Sequence, residues 1–162
     1  METATTVIDS LPTVEDLYTA DADRLWRGLF AFSGDAEIAS DALNEAFVQV
    51  IGRGDAVRDP AAWVWRTAFS LARAALHDRR SDSGTFAATE NASHLDRYAD
   101  PDLLSALRLL PEAQRAAVIL YYYADLPIRQ IATRLGSNSL AVRANLSRGR
   151  RRLRQLLGDD HG

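Results

Sequence analysis

Apolar residues recur three and four positions apart through most of this chain, and they stop doing so in one interior stretch. That spacing stacks side chains along one face of an α-helix, and no segment shows the period-two alternation of a half-buried strand. In residues 14–33, Leu17, Leu25, Trp26, Leu29 and Phe30 form one stripe. Asp35 stands where an N-cap would start a second helix, about 36–51, with Leu43, Phe47, Val50 and Ile51 inward. GRGDAVRDP at 52–60 reads as a loop, and Pro60 suits the first turn of a third helix reaching about Asp78. Its inward set is Val64, Ala68, Leu71, Ala72 and Ala75, with Trp63 and Trp65 nearby. Residues 81–101 are small, polar and acidic without periodicity, which is the composition of a linker. Leu103, Leu104, Leu107 and Leu110 then mark a short helix, and Pro111 opens the next. Two more helices are expected at about 128–135 and 139–157. The expected fold is all-α: two small helical domains, 14–80 and 102–158, joined by a flexible linker at 81–101.

Composition removes several function classes. The 162 residues include no cysteine, so disulfides, thiolate metal sites and cysteine nucleophiles are excluded. The three histidines (His77, His94 and His161) are scattered, and no nucleophile–base or metal constellation stands out. Neither an enzyme nor a cofactor is expected. No apolar run approaches the roughly eighteen residues of a membrane span, and the start of the chain lacks the pattern of a secretory signal. A cytoplasmic protein with no membrane insertion is the expectation.

The net charge of −3 conceals a segregation: residues 1–60 sum to −8, whereas 114–157 sum to +8. All 19 basic residues are arginine, which a GC-rich coding bias alone would produce, but such a bias does not sort charge by position. A basic C-terminal third points to nucleic acid, and the acidic N-terminal third to a different partner.

The C-terminal pair of helices sharpens that reading. Only Gly136, Ser137 and Asn138 separate them, and a short glycine-containing turn between two helices outlines a DNA-reading helix-turn-helix. Ala132 is small where the helices cross, Gly136 supplies backbone freedom, and Val142, Leu146, Gly149 and Leu153 form the inward stripe. A recognition helix sets its N-terminal residues on base edges and its flanks on phosphates. Ser139, Leu140, Arg143, Ala144 and Ser147 are therefore the groove-facing candidates, with Arg129, Arg148, Arg150 and Arg151 for phosphates.

At this point the sequence resembles a family. Leu110–Leu157 looks like region 4 of the extracytoplasmic-function (ECF) group of bacterial sigma factors, through its LPxxQR opening (Leu110, Pro111, Gln114, Arg115), its IA…LG core (Ile131, Ala132, Leu135, Gly136) and its arginine-rich end, Arg148–Arg154. GDAEIASDALNEAF (34–47) resembles the region 2 helix that docks on the clamp helices of the polymerase largest subunit. RDPAAWVWRTAFSLARAALHDRR (58–80) resembles the helix that reads and opens the minus-ten element. The resemblance implies a sigma factor that binds core RNA polymerase at clamp helices and flap, directs it to promoter DNA and assists melting. For many such factors it also implies an anti-sigma partner.

The resemblance also implies site residues. The clamp-binding positions map onto Asp41, Asn44 and Glu45, one helix face by their spacing, with Phe47 as the inward anchor. On the third helix, Trp63, Trp65 and Phe69 would meet unstacked bases, because aromatic faces bind bases with little sequence preference. One of these tryptophans is expected in the core instead. Arg53, Arg58, Arg66, Arg73, Arg79 and Arg80 would track phosphates, and Ser70 stands at a base-reading position.

This chain departs from the family's pattern at Ser70, Ala74, Ser137, Ala141 and Asn145. Each lost bidentate base contact weakens binding by roughly 1–3 kcal/mol, so weak or assisted promoter binding is expected. Two rival readings remain at this level: a stand-alone helix-turn-helix regulator built on residues 102–158, and a degenerate sigma-like adaptor that binds polymerase without reading DNA.

Overall fold

The structure is a computed structural model and describes residues 13–82 and 100–158. Those residues form α1 (Val14–Ser33), α2 (Ala36–Arg53), a single 3-10 turn (Gly54–Ala56), α3 (Pro60–Asp82), α4 (Pro101–Arg108), α5 (Glu112–Tyr122), α6 (Ile128–Arg134) and α7 (Ser139–Gly158). No strand occurs among them, and no helix is long and apolar enough to cross a membrane. Of the stretch expected as a linker, residues 83–99 lie outside the described residues. α3 runs to Asp82, about a turn beyond the end expected from its apolar pattern.

Local chemistry sets the boundaries. Thr13 and Asp16 form a capping box on α1, and Gly34 ends the helix in the left-handed region at φ 69°. Asp35 caps α2 by accepting from the amides of Glu37 (2.9 Å) and Ile38 (3.1 Å). Asp59 accepts from Ala62 N–H ahead of Pro60, and Asp100 accepts from Asp102 N–H ahead of Pro101. α3 and α4 thus share one start: an aspartate cap followed by proline at the first turn.

The N-terminal unit is a three-helix cluster of α1, α2 and α3. Leu25, Leu29, Ala39, Ala46, Val64 and Ala68 are fully or almost fully buried within it. α3 is covered on two sides. Of the stripe read from the sequence, Val64, Ala68 and Ala72 are buried and Leu71 and Ala75 half-buried, and Trp65, Phe69 and Leu76 are buried besides. Trp65 Nε1–H donates to Asp21 of α1 at 3.4 Å, and its ring stacks on Phe69 at 6.2 Å between centroids.

In the C-terminal unit α7 crosses α5 closely. Gly149 is buried there, and an added Cβ would stand 2.9 Å from Val118 Cγ2. The two units pack on each other through one continuous apolar core. Ile119 of α5, fully buried, faces Gly28 of α1, where an added Cβ would lie 3.5 Å from Ile119 Cγ2. Burying a side chain of that size contributes about 1.5–3 kcal/mol. Polar contacts edge this seam: Arg108 donates to the Gly34 carbonyl at 2.7 Å, Arg73 pairs with Glu112 at 3.3 Å, and Arg24 approaches Asp125 at 3.9 Å.

Candidate nucleic-acid interface

α6 and α7 make the helix-turn-helix. α6 ends in a Schellman arrangement, with Gly136 at φ 62° and Ser137 N–H donating 2.8 Å to the Ala132 carbonyl. Only a residue without Cβ takes that backbone at no cost, which is the reason for glycine there. Asn138 then caps α7, its Oδ1 accepting from Ala141 N–H at 2.9 Å. Asn138, a turn residue by its sequence alone, is thus a helix cap, and its place just before an apolar stripe is the signal for that role.

Val142, Leu146 and Gly149 are buried as the periodicity requires, so the opposite side of α7 faces outward. Leu140 is 79% exposed, a large apolar side chain held in the open at the helix start. Arg143, Ser147, Arg148 and Arg151 are exposed on the same helix, and Arg129 is exposed on α6. Ser139 and Ala144 are half-buried at the edge of this face. Arg150 departs from the expectation of a phosphate contact. Its Nε donates to the Tyr122 hydroxyl at 2.6 Å, and its guanidinium lies 5.3 Å from the Tyr121 ring and 5.4 Å from the Tyr122 ring. The arginine is held by two of the three consecutive tyrosines, an embrace that the two aromatic faces make favourable.

On α2, Asp41, Asn44 and Glu45 are exposed on one face, and Phe47 is buried against Tyr18 in an edge-on contact at 4.9 Å. Asp41 and Glu45 line an open groove of ≈400 Å³ between α2 and α3, together with Ile38, Leu71, Ala75 and Arg79. Arg79 is engaged there. It pairs with the Asp35 carboxylate and with Glu37 at 3.2 Å, so it serves the start of α2, where a DNA phosphate contact was expected.

The remaining α3 candidates divide. Trp63 is half-buried beneath Arg53, whose guanidinium lies 5.4 Å from its ring, and Arg58 is exposed in the preceding loop. Phe69 was expected to meet bases, but it is 6% exposed, packed on Phe32 at 5.7 Å and on Trp65. The cause is the second apolar side of α3, which α1 and the C-terminal unit cover. Trp65, 3% exposed, is the core tryptophan. Arg66, Ser70 and Arg73 are exposed at the rim of a small cavity opposite Arg134 and Leu135 of the C-terminal unit. Burial, and then the like charge of Arg66, lower the pKa of the Arg134 guanidinium, with Asp59 acting in the opposite sense. Arg80 lies outside the residues whose side chains are described.

Arg115 is the position whose role the sequence hid. It stands in the LPxxQR motif, yet it is 7% exposed, stacks on Phe32 at 5.2 Å and reaches the Arg108 carbonyl at 3.5 Å. The motif's arginine is a structural member of the seam.

Known proteins are similar to this chain in sequence and in fold. The family described as Sigma-70, region 4 matches residues 101–153. The sigma factor CarQ of Myxococcus xanthus is 31% identical over 157 residues, covering 90% of this chain and 89% of CarQ. SigV of Bacillus subtilis is 28% identical over 143 residues, covering 83% of this chain and 86% of SigV. The fold is that of the sigma factor RpoE from Bartonella quintana, solved with the anti-sigma factor NepR, at TM-score 0.70 and 20% identity over 89% of this chain and 96% of that one. CnrH, solved with the cytosolic domain of CnrY, gives TM-score 0.66 at 22% identity, covering 91% and 88%. The match to CarQ extends over the N-terminal unit, which a stand-alone helix-turn-helix regulator does not need. The chain belongs to the extracytoplasmic-function group of RNA polymerase sigma factors, proteins that bind RNA polymerase and promoter DNA in transcription initiation.

Proposed function

We propose that the three surfaces divide the sigma factor's work in a non-catalytic, cytoplasmic protein. Residues 14–80 and 102–158 act as two functional units. Asp41, Asn44 and Glu45 engage basic groups on the clamp helices of the polymerase largest subunit. Trp63, Arg53, Arg58, Arg66, Ser70 and Arg73 serve the minus-ten element, and the outer face of α7 reads the minus-thirty-five element. Ser139, Leu140, Arg143, Ala144 and Ser147 meet base edges there, while Arg129, Arg148 and Arg151 hold phosphates. The observation that carries this reading is α7 itself. Val142, Leu146 and Gly149 of its inward stripe are buried, and it leaves Leu140, Arg143 and Ser147 uncovered at the N-terminal end that enters a major groove.

The polymerase flap takes the apolar groove of ≈390 Å³ bordered by Leu103, Leu107, Val118, Tyr123 and Leu153. An anti-sigma factor would compete for the same surfaces. The departures at Ser70, Ala74, Ser137, Ala141 and Asn145 make promoter contact weak and dependent on polymerase. Run-off transcription of fragmented genomic DNA by sigma-free core polymerase, with and without the protein, tests the assignment. New starts that share two spaced upstream elements are expected, and these should vanish with Arg143→Ala. Unchanged starts with that variant would refute the role given to α7. A nanomolar, salt-resistant complex of the isolated chain with promoter DNA would refute the weak-binding proposal.

A further inference from the structure

We propose that Leu140 reads a pyrimidine 5-methyl group in the major groove, so that this chain selects a thymine close to the base pair that Arg143 contacts. The proposal rests on the assignment of α7 to the minus-thirty-five element and goes beyond it by naming the chemical group recognised. Leu140 is 79% exposed, the most exposed large apolar side chain among the described residues. The other large apolar residues of α7 (Val142, Leu146, Leu153, Leu156 and Leu157) are buried or half-buried. The inward stripe accounts for Val142, Leu146 and Leu153, and it gives no reason for a leucine at 140.

The position is also well defined. Asn138 accepts from Ala141 N–H through its side chain at 2.9 Å and from Val142 N–H through its carbonyl at 3.0 Å. Leu140 therefore stands in a hydrogen-bonded first turn, where the direction of its Cβ is set by the helix. Arg143, Ala144 and Ser147 follow three, four and seven positions on, so the four share one face. That face carries an apolar column, Leu140 with half-buried Ala144, beside a polar column of exposed Arg143 and Ser147.

Charge selects the occupant of this face. No acid stands between Asp125 and Asp159, and Arg129, Arg143, Arg148 and Arg151 are exposed on α6 and α7. A second copy of the chain laid over Leu140 would set arginine against arginine, whereas a duplex supplies phosphates. Leucine has neither donor nor acceptor, so it cannot replace water on a polar base edge. The apolar group that base pairs project into the major groove is the thymine 5-methyl, and 5-methylcytosine carries the same group. Leu140 and Arg143 are separated by about 4.5 Å of helix rise, against about 3.4 Å between base pairs. The methyl group is thus placed within two base pairs of the Arg143 contact.

Holoenzyme reconstituted from core polymerase and the full chain is first used to enrich bound fragments of genomic DNA. The upstream element they share is then built into synthetic duplex promoters. Each thymine of that element, on either strand, is replaced in turn by uracil, which lacks only the 5-methyl, and each cytosine in turn by 5-methylcytosine. At one thymine, within two base pairs of the pair to which Arg143→Ala becomes indifferent, uracil should weaken holoenzyme binding about fourfold, the worth of one buried methyl group. Leu140→Ala should weaken binding to the thymine duplex by a similar factor and bind thymine and uracil duplexes equally. Leu140→Met, which keeps an apolar tip, should retain the preference. If uracil is silent everywhere and 5-methylcytosine strengthens binding by native but not by Leu140→Ala holoenzyme, the methyl reading stands and thymine as its source is overturned. If no such replacement separates native from Leu140→Ala holoenzyme while Arg143→Ala loses the element, the proposal is overturned and the assignment of α7 stands. If no shared upstream element is enriched, or Arg143→Ala binds it as the native chain does, the assignment of α7 fails and the proposal falls with it.

Discussion

Replacing Gly149 by alanine sets two effects of known sign against each other. Alanine in a helix interior is favoured over glycine by about 1 kcal/mol. Against this, the new methyl group would meet Val118 Cγ2 at 2.9 Å and Gln114 at 3.6 Å. Val118 is 6% exposed, and its branched side chain has one strongly preferred helical rotamer, so it gives way only if α5 and α7 move apart. Overpacking of this kind costs about 1–3 kcal/mol. The clash wins, and a net loss of about 1 kcal/mol is expected. Gly52, in the last turn of α2, is the control, because nothing lies within 4 Å of its added Cβ. Gly52→Ala should therefore stabilise by up to about 1 kcal/mol. Reversible urea unfolding followed by circular dichroism separates the two. Val118→Ala combined with Gly149→Ala should cost less than the sum of the single changes, since Val118→Ala removes the methyl that Gly149→Ala would strike. If Gly149→Ala stabilises as much as Gly52→Ala, the two helices do not cross at this position and the pose of α7 is wrong.

Other outcomes follow from the same geometry. Arg150→Ala should lower stability and leave DNA affinity nearly unchanged, because its guanidinium is held by Tyr121 and Tyr122; a large loss of DNA affinity at unchanged stability would contradict that. Arg143→Ala should shift the unfolding free energy by less than about 0.5 kcal/mol, as exposed substitutions do, while promoter binding with polymerase weakens by roughly 1–3 kcal/mol. Asp35→Ala removes both the cap of α2 and one partner of Arg79, so a loss of about 1–2 kcal/mol is expected in thermal or urea unfolding. Asp41→Ala with Glu45→Ala should weaken binding to core polymerase without changing unfolding, and pull-down with core reads this directly.

The helices and some of their boundaries were legible in the sequence because each depends on a few neighbouring residues. Asp35, Pro60 and Gly136 sit in their places for reasons that span three or four positions. The outer face of α7 was legible for the same reason, since four inward residues at helical spacing fix which side remains. The burial of Phe69 was not legible, nor was which tryptophan is the core one, because periodicity shows that a residue is apolar without showing what covers it. A helix with one covered side leaves its second aromatic row for a ligand, whereas α3 has two covered sides. Arg79, Arg115 and Arg150 show the same limit for charge. Each lies in an arginine-rich segment that suggests phosphate, and each is engaged by groups far along the chain or on another helix: Asp35, Phe32 and Tyr122.

The carboxylate of Asp35 ties two things that are usually separate. One oxygen receives the amides that begin α2, and the other holds Arg79 near the end of α3. α2 and α3 are the two walls of the groove that carries Asp41 and Glu45, so the tie acts as a mechanical stop on the width of that groove. A polymerase helix that wedges the walls apart would load this tie first, and the strain would arrive as fraying at the start of α2. Faster amide exchange at Glu37 and Ile38 would then register docking of the clamp as a local loosening at the first turn of one groove wall.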